Sequence, residues 1–199
     1  MKLKNAFFAV ICAAAVSLTG CGDKLVYENG TANIKDADIS LTVPEDWTVV
    51  TDDEIYDEMY KELSDEYGSA KELKTFYEDN GERLLLSAQS PDGNVAALLS
   101  ESEKGEVNVA DILRTVHDTT VFDFRSSELF TESSFEEYTW GGVSGVMSII
   151  KVSDAEGEPA ALEQREFCFE RGGLIFSLQI HITGGHEQEA DGIVISSAE

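Results

Sequence analysis

Three histidines, one cysteine deep in the chain and a glycine-flanked serine are the residues of this 199-residue sequence whose types could carry chemistry. His117, His181 and His186, joined by Asp118 or Glu187, supply the donor types of a zinc centre. Their spacing matches no ligand motif, and a polar or helix-capping role is the simpler account of each. Gly142-Val143-Ser144-Gly145-Val146 puts a serine near two glycines, as a nucleophile elbow does, but lacks glycine at the fifth position. The run falls inside a strand pattern instead of at a strand-to-helix turn, so its small residues predict close packing over a sheet. Cys168, within Glu166-Phe167-Cys168-Phe169-Glu170, has no adjacent base to form a thiolate and reads as a buried structural residue. Asp154, Glu156 and Glu158 read as a turn between strands. No Gly-rich phosphate loop, dinucleotide fingerprint or EF-hand loop occurs. The expectation is a non-enzymatic protein with no catalytic residue, no metal and no cofactor.

Charge narrows the partners. Lys and Arg number 14 against 39 Asp and Glu, a formal charge of −25. Nucleic-acid affinity comes largely from Lys and Arg displacing counterions from phosphates, so no nucleic acid is expected. The same repulsion opposes adsorption to anionic lipid, whereas a basic protein partner would be attracted. The densest charge lies between residues 52 and 79, with 11 acidic residues and three lysines. There Asp52, Asp53, Glu54, Asp57, Glu58 and Glu62 form the candidate partner surface. A solvated helix face is the plainer reading of the same residues.

The amino terminus carries an address. Lys2 and Lys4 precede the apolar stretch Ala6 to Val16, which is about half the roughly 20 residues that a stable membrane-spanning helix needs. It ends in Leu18-Thr19-Gly20-Cys21, which resembles the bacterial lipobox. That resemblance implies cleavage between Gly20 and Cys21, diacylglyceration of Cys21, and an extracytoplasmic protein held to the membrane of the bacterial cell envelope by lipid. Loss of residues 1–20, with Lys2 and Lys4, would bring the charge to −27. With Cys12 removed and Cys21 a thioether, Cys168 would be the remaining thiol, and no disulfide within the chain is expected.

Elements must position whatever site exists. Residues 21–37 lack sustained periodicity and read as the lipidated cysteine and a flexible tether spanning roughly 20 Å, followed by one domain over 38–199. Ile39-Ser40-Leu41-Thr42-Val43 alternates as a strand and closes at Pro44. Thr51 and Glu54 have capping-box spacing before a helix carrying Ile55, Met59 and Leu63, and Ser69 and Glu72 repeat it before a second helix. Residues 84–90 and 95–100 flank the turn Pro91-Asp92-Gly93-Asn94 as a hairpin. Leu84-Leu85-Leu86 and Ala96-Ala97-Leu98-Leu99 are apolar in both phases and predict a sheet covered on both faces. Asn108 caps an amphipathic helix carrying Val109, Ile112, Leu113 and Val116, which precedes the aromatic stretch Val121 to Phe124. Strands follow near 135–140, 143–152, 162–170 and 174–182, the last with Leu174, Phe176, Leu178, Ile180 and Ile182 on one face. A closing helix is expected over His186 to about Ser197, burying Ala190, Ile193 and Val194.

This order makes an α+β layered domain, an antiparallel β-sheet flanked by helices. Ile39-x-Leu41-x-Val43-Pro44-x-x-Trp47, Gly142-Val143 opening a strand, and the hairpin from Phe167 to Ile182 together resemble the PsbP-like (Mog/PsbP) family, to which bacterial lipoproteins of the LpqN kind belong. The resemblance implies an α/β/α sandwich and an assembly or protein-binding role, with no shared catalytic constellation. A small-molecule or cation site in a pocket between sheet and helix is the alternative.

Overall fold

The computed structural model describes residues 25–51, 53–64, 66–106 and 108–197. The expected signal segment 1–20, Cys21 and Asp52 lie outside them. The described chain enters through a hairpin, β1 (Leu25–Glu28) and β2 (Thr31–Ile34). Its loop is Asn29-Gly30, both at positive φ (52° and 77°), the geometry whose twist matches that of the strands it joins. Leu25 pairs with Ile34, and Leu25, Ala32 and Ile34 are buried. The tether expected over 21–37 is therefore corrected: residues 25–37 are part of the domain, which does not begin at 38. A 3-10 turn, Lys35–Ala37, leads into β3 (Ile39–Thr42). β3 pairs with β2 on one side and with β11 (Val194–Ser197), from the far end of the chain, on the other.

A second, seven-stranded sheet is antiparallel throughout. Its strands are β4 (Thr48–Thr51), β5 (Glu82–Gln89), β6 (Val95–Glu103), β7 (Phe130–Trp140), β8 (Val143–Ser153), β9 (Leu162–Arg171) and β10 (Leu174–Thr183). Their spatial order is β4-β5-β6-β10-β9-β8-β7. One face meets the four-stranded sheet, where Leu86, Leu99, Phe167, Phe176 and Leu178 pack with Ile34, Ile39, Leu41 and Ile195. Each such side chain, fully buried, contributes about 1.5–3 kcal/mol. Phe176 stacks on Phe169 at 5.3 Å between ring centroids.

The other face carries three helices, α1 (Glu54–Leu63), α2 (Ala70–Asp79) and α3 (Val109–Ser126). Ile55, Tyr56 and Met59 of α1 and Leu73 and Tyr77 of α2 close over Leu84. Leu113 of α3 packs with Val146 and Cys168, and Val121 and Phe124 pack with Ile150 and Val152. The molecule is thus α+β, with helices on one face of the large sheet and the small sheet on the other. No helix among the described residues is long and apolar enough to cross a membrane.

The helix boundaries differ from the sequence expectation in three places. Thr51 ends β4, and Asp53 takes the N-cap position of α1 without a side-chain cap bond. By contrast, Ser69 Oγ accepts from the amide of Glu72 at 3.2 Å and Asn108 Oδ1 from that of Ala110 at 2.7 Å, both as the cap spacing predicts. α3 continues through the aromatic stretch, because Leu113, His117, Val121 and Phe124 share its buried side. The closing helix is corrected to one turn, α4 (Glu187–Ala190), followed by β11. Ile193 and Ile195 are both buried while Val194 is 44% exposed, a period of two that pairing with β3 satisfies.

Candidate functional site

α4 and β11 lie over the outer strands of the large sheet, and between them opens a groove of about 360 Å³. Alternation along β7 puts Glu136, Tyr138 and Trp140 on its groove side. Across the ladder Tyr138 faces Gly145 of β8. A Cβ at Gly145 would stand 2.3 Å from the Cys168 carbonyl oxygen and 2.9 Å from the Phe167 ring. Glycine there lets Tyr138 and Trp140 reach Phe167 edge to face, at 6.2 and 5.8 Å between centroids. Met147, Ile149, Ile193 and Val194 supply further apolar lining.

The polar part of the groove is an ion network. Glu163 is 2% exposed, and its carboxylate pairs with Arg165 and with Lys151, the latter at 3.2 Å. Arg165 Nη1 also reaches Asp191, just past α4, at 2.9 Å. Burial works to lower the Arg165 pKa, but hydrogen bonds to Glu163 and Asp191 outweigh it and leave it raised. Buried charge is thereby compensated inside the network. A groove of this size, with aromatic walls and a few placed charges, has the dimensions of a ligand site.

A different polar cluster lies on the helix face of the sheet. Glu166 is 2% exposed, and Ser177 Oγ donates to its Oε1 at 2.9 Å, with Gln179 Nε2 at 3.4 Å. Burial raises its pKa despite those donors. Nearby Glu82, Ser100, Ser102, Cys168 and Ser177 line a cavity of about 20 Å³ under the start of α3, room for about one water. Burial pushes the Glu82 carboxyl up to about 7 against an opposing Ser100 bond, with Glu166 adding repulsion. Its Oε2 has no hydrogen-bond partner among the described residues.

The histidines stand apart from one another. His117 Nδ1 lies 2.7 Å from Ser148 Oγ, with its ring edge on Phe135, and burial lowers its pKa. His181 sits on β10, where desolvation pushes it down to about 4. His186 occupies the N-cap position of α4, 2.8 Å from Glu189 and 3.7 Å from Asp92. Asp92, His186 and Glu189 can each offer one ligand atom within 4.8 Å of the others. Asp92 is already engaged by Ser90 and Asn94 in the β5–β6 turn, and those bonds hold it down at about 2. Cys168 is buried, with Sγ 3.8 Å from Glu166 Oε1, and burial pushes its thiol well up. Ser144 lies within β8, beside Thr139 of β7.

The acidic surface is built by α1. Glu54, Asp57 and Glu58 are exposed, opposite the buried Ile55, Tyr56 and Met59, and Glu62 lies in the same helix. Asp53 pairs with Lys74 of α2 at 2.7 Å, and Glu58 with Lys61 at 2.6 Å. Exposed pairs of this kind contribute little to stability.

Sequence reasoning did not single out the groove residues. The signal was the polar-aromatic alternation Glu132, Ser134, Glu136, Tyr138, Trp140, together with Glu163 and Arg165 on the phase of β9 that continues as Phe167 and Phe169.

No protein-family model and no curated protein matches the chain. Solved structures do. A Bacteroides thetaiotaomicron protein is similar over 81% of this chain and 46% of its own, at 12% identity and a TM-score of 0.41. This chain thus spans about half the length of that protein. Cyanobacterial PsbP from Synechocystis is similar over 88% of this chain and 97% of its own, at 11% identity and a TM-score of 0.45. LpqN of Mycobacterium tuberculosis, described as involved in cell envelope biogenesis, is similar over 79% and 83%, at 16% identity and a TM-score of 0.42. The Synechocystis protein bears the name of the family that the motifs of this chain resemble.

Proposed function

We propose that this chain is a lipid-anchored, non-enzymatic protein of the bacterial cell envelope, facing outward from the cytoplasm, that binds or helps assemble a basic protein partner. The observation that carries the reading is Leu18-Thr19-Gly20-Cys21 at the end of a short apolar stretch behind Lys2 and Lys4. A formal charge of −25 and the exposed acids of α1 support a basic partner. Anchoring through Cys21 needs no lipid-binding surface on the domain. Cys21→Ala should release the protein from the membrane fraction and leave the precursor uncut; normal processing and fractionation would refute the anchor. Crosslinking in intact cells should capture a basic neighbour. Reversing Asp53, Glu54, Asp57 and Glu58 to lysine should abolish that capture if α1 is the contact.

The groove favours a second reading, a small-molecule or cation binder. Its volume of about 360 Å³ lies between the large sheet and α4, the setting expected for such a pocket.

A further inference from the structure

We infer that the outer edge of β7 is a docking strip for an extended, cationic peptide segment of the partner, which adds to the large sheet as a further strand. The inference rests on the protein-binding reading and assigns it a surface other than α1. β7 stands at the end of the strand order, so among the described residues only its β8 side is paired. It runs for 11 residues, Phe130–Trp140, about 36 Å of strand. A free edge presents a row of backbone N–H and C=O groups, which a peptide strand satisfies by continuing the ladder.

Charge chooses the occupant. β7 carries Glu132, Glu136 and Glu137, all exposed, and no Lys or Arg. Pairing with a second copy through β7 would bring the three glutamates of each strand to one seam with no basic residue from either, and self-repulsion of like charge opposes it. A peptide with lysine or arginine at alternate positions meets the opposite situation. Its groove-side cations lie along the row Glu132, Glu136 and Tyr138, a carboxylate pair continued by an aromatic face that attracts a cation. Tyr138 is 43% exposed, so its ring is open to such a contact. The two cations of the groove, Arg165 and, across the ladder from Glu132, Lys151, are already paired with Glu163 and Asp191.

The test uses the full chain, isotope-labelled, titrated with a peptide of alternating lysine and valine as long as β7. Expected are slowed hydrogen exchange at the outward amides of β7, shifted resonances of Tyr138 and Trp140, and about tenfold weaker binding in Glu136→Lys and in Glu132→Lys. Asp57→Lys on α1 should leave peptide affinity unchanged. Absence of binding at millimolar peptide, equal binding of an alternating glutamate–valine peptide, or a dimer whose β7 amides are already protected would overturn the strip. Shifts confined to α1 would also overturn it, while leaving the protein-binding reading in place with α1 as its surface.

Discussion

The Tyr56 hydroxyl of α1 accepts the backbone amide of Leu84 at 3.3 Å, at the point where β5 slips register between Leu84 and Leu86. A bulge disrupts the ladder and leaves an amide in need of a partner. Both residues are buried, so water does not readily take the place of the hydroxyl. Burial in turn pushes the Tyr56 phenol up to about 12. Tyr56→Phe keeps the ring and removes the acceptor, and it should cost about 1–3 kcal/mol. Urea unfolding measures this; an unchanged midpoint would show that the bond contributes nothing net.

Glu82 should make the protein less stable as pH rises from weak acid to neutral. Its folded pKa of about 7 lies above the ordinary 4.5, so the folded state holds the proton over that interval and the unfolded state does not. The contribution of Glu82 to stability is then greatest below about 4.5, falls through the interval and levels off above 7, by about 3 kcal/mol in all. Glu82→Gln should lessen the fall, leaving the share of the buried Glu166, whose pKa is also raised, and should raise stability at pH 8. Denaturation at pH 5 and pH 8 for both proteins decides it, and a parallel decline in the variant would assign the pH dependence elsewhere.

Gly141, in the β7–β8 turn, sets how closely the two sheets approach. Its φ is +53°, and a Cβ there would fall 1.8 Å from the Ile195 carbonyl oxygen. Gly141→Ala should destabilise by about 2 kcal/mol or more, through backbone strain together with displacement of β11. Gly157→Ala is the control, because its φ is +82° with nothing within 4 Å of the added atom, and it should cost about 1 kcal/mol. Equal thermal shifts in the two variants would mean that β11 gives way freely.

Cys168 should resist thiol reagents in the folded protein and react once urea unfolds it. It is 1% exposed, and burial holds its thiol protonated. In a chain with Cys12 and Cys21 changed to serine, the folded reaction rate should follow the unfolding equilibrium. Fast labelling under native conditions would show that the space beneath α3 opens without unfolding.

Local signals in the sequence determined most of the elements. β10 was legible because Leu174, Phe176, Leu178, Ile180 and Ile182 alternate against Ser177 and Gln179, and α2 and α3 because Ser69 and Asn108 are caps whose acceptors lie within a few residues of the amides they bind. The β1–β2 hairpin was not legible, because strands of four residues carry too little periodicity to distinguish residues 25–34 from a tether. The acidic face of α1 followed from helical spacing alone. Tertiary structure decided the rest. Val194–Ser197 became a strand because the edge of β3 was there to pair with Val194 and Ile195, a partner far away in the chain. The groove draws Tyr138, Arg165, Asp191 and Val194 from separate elements, and Glu82 meets the cavity beside Cys168 only because β6 and β10 stand between β5 and β9. Periodicity reports which side of an element is buried. Which element buries it is set by long-range strand pairing, and that pairing also decided where the candidate site lies.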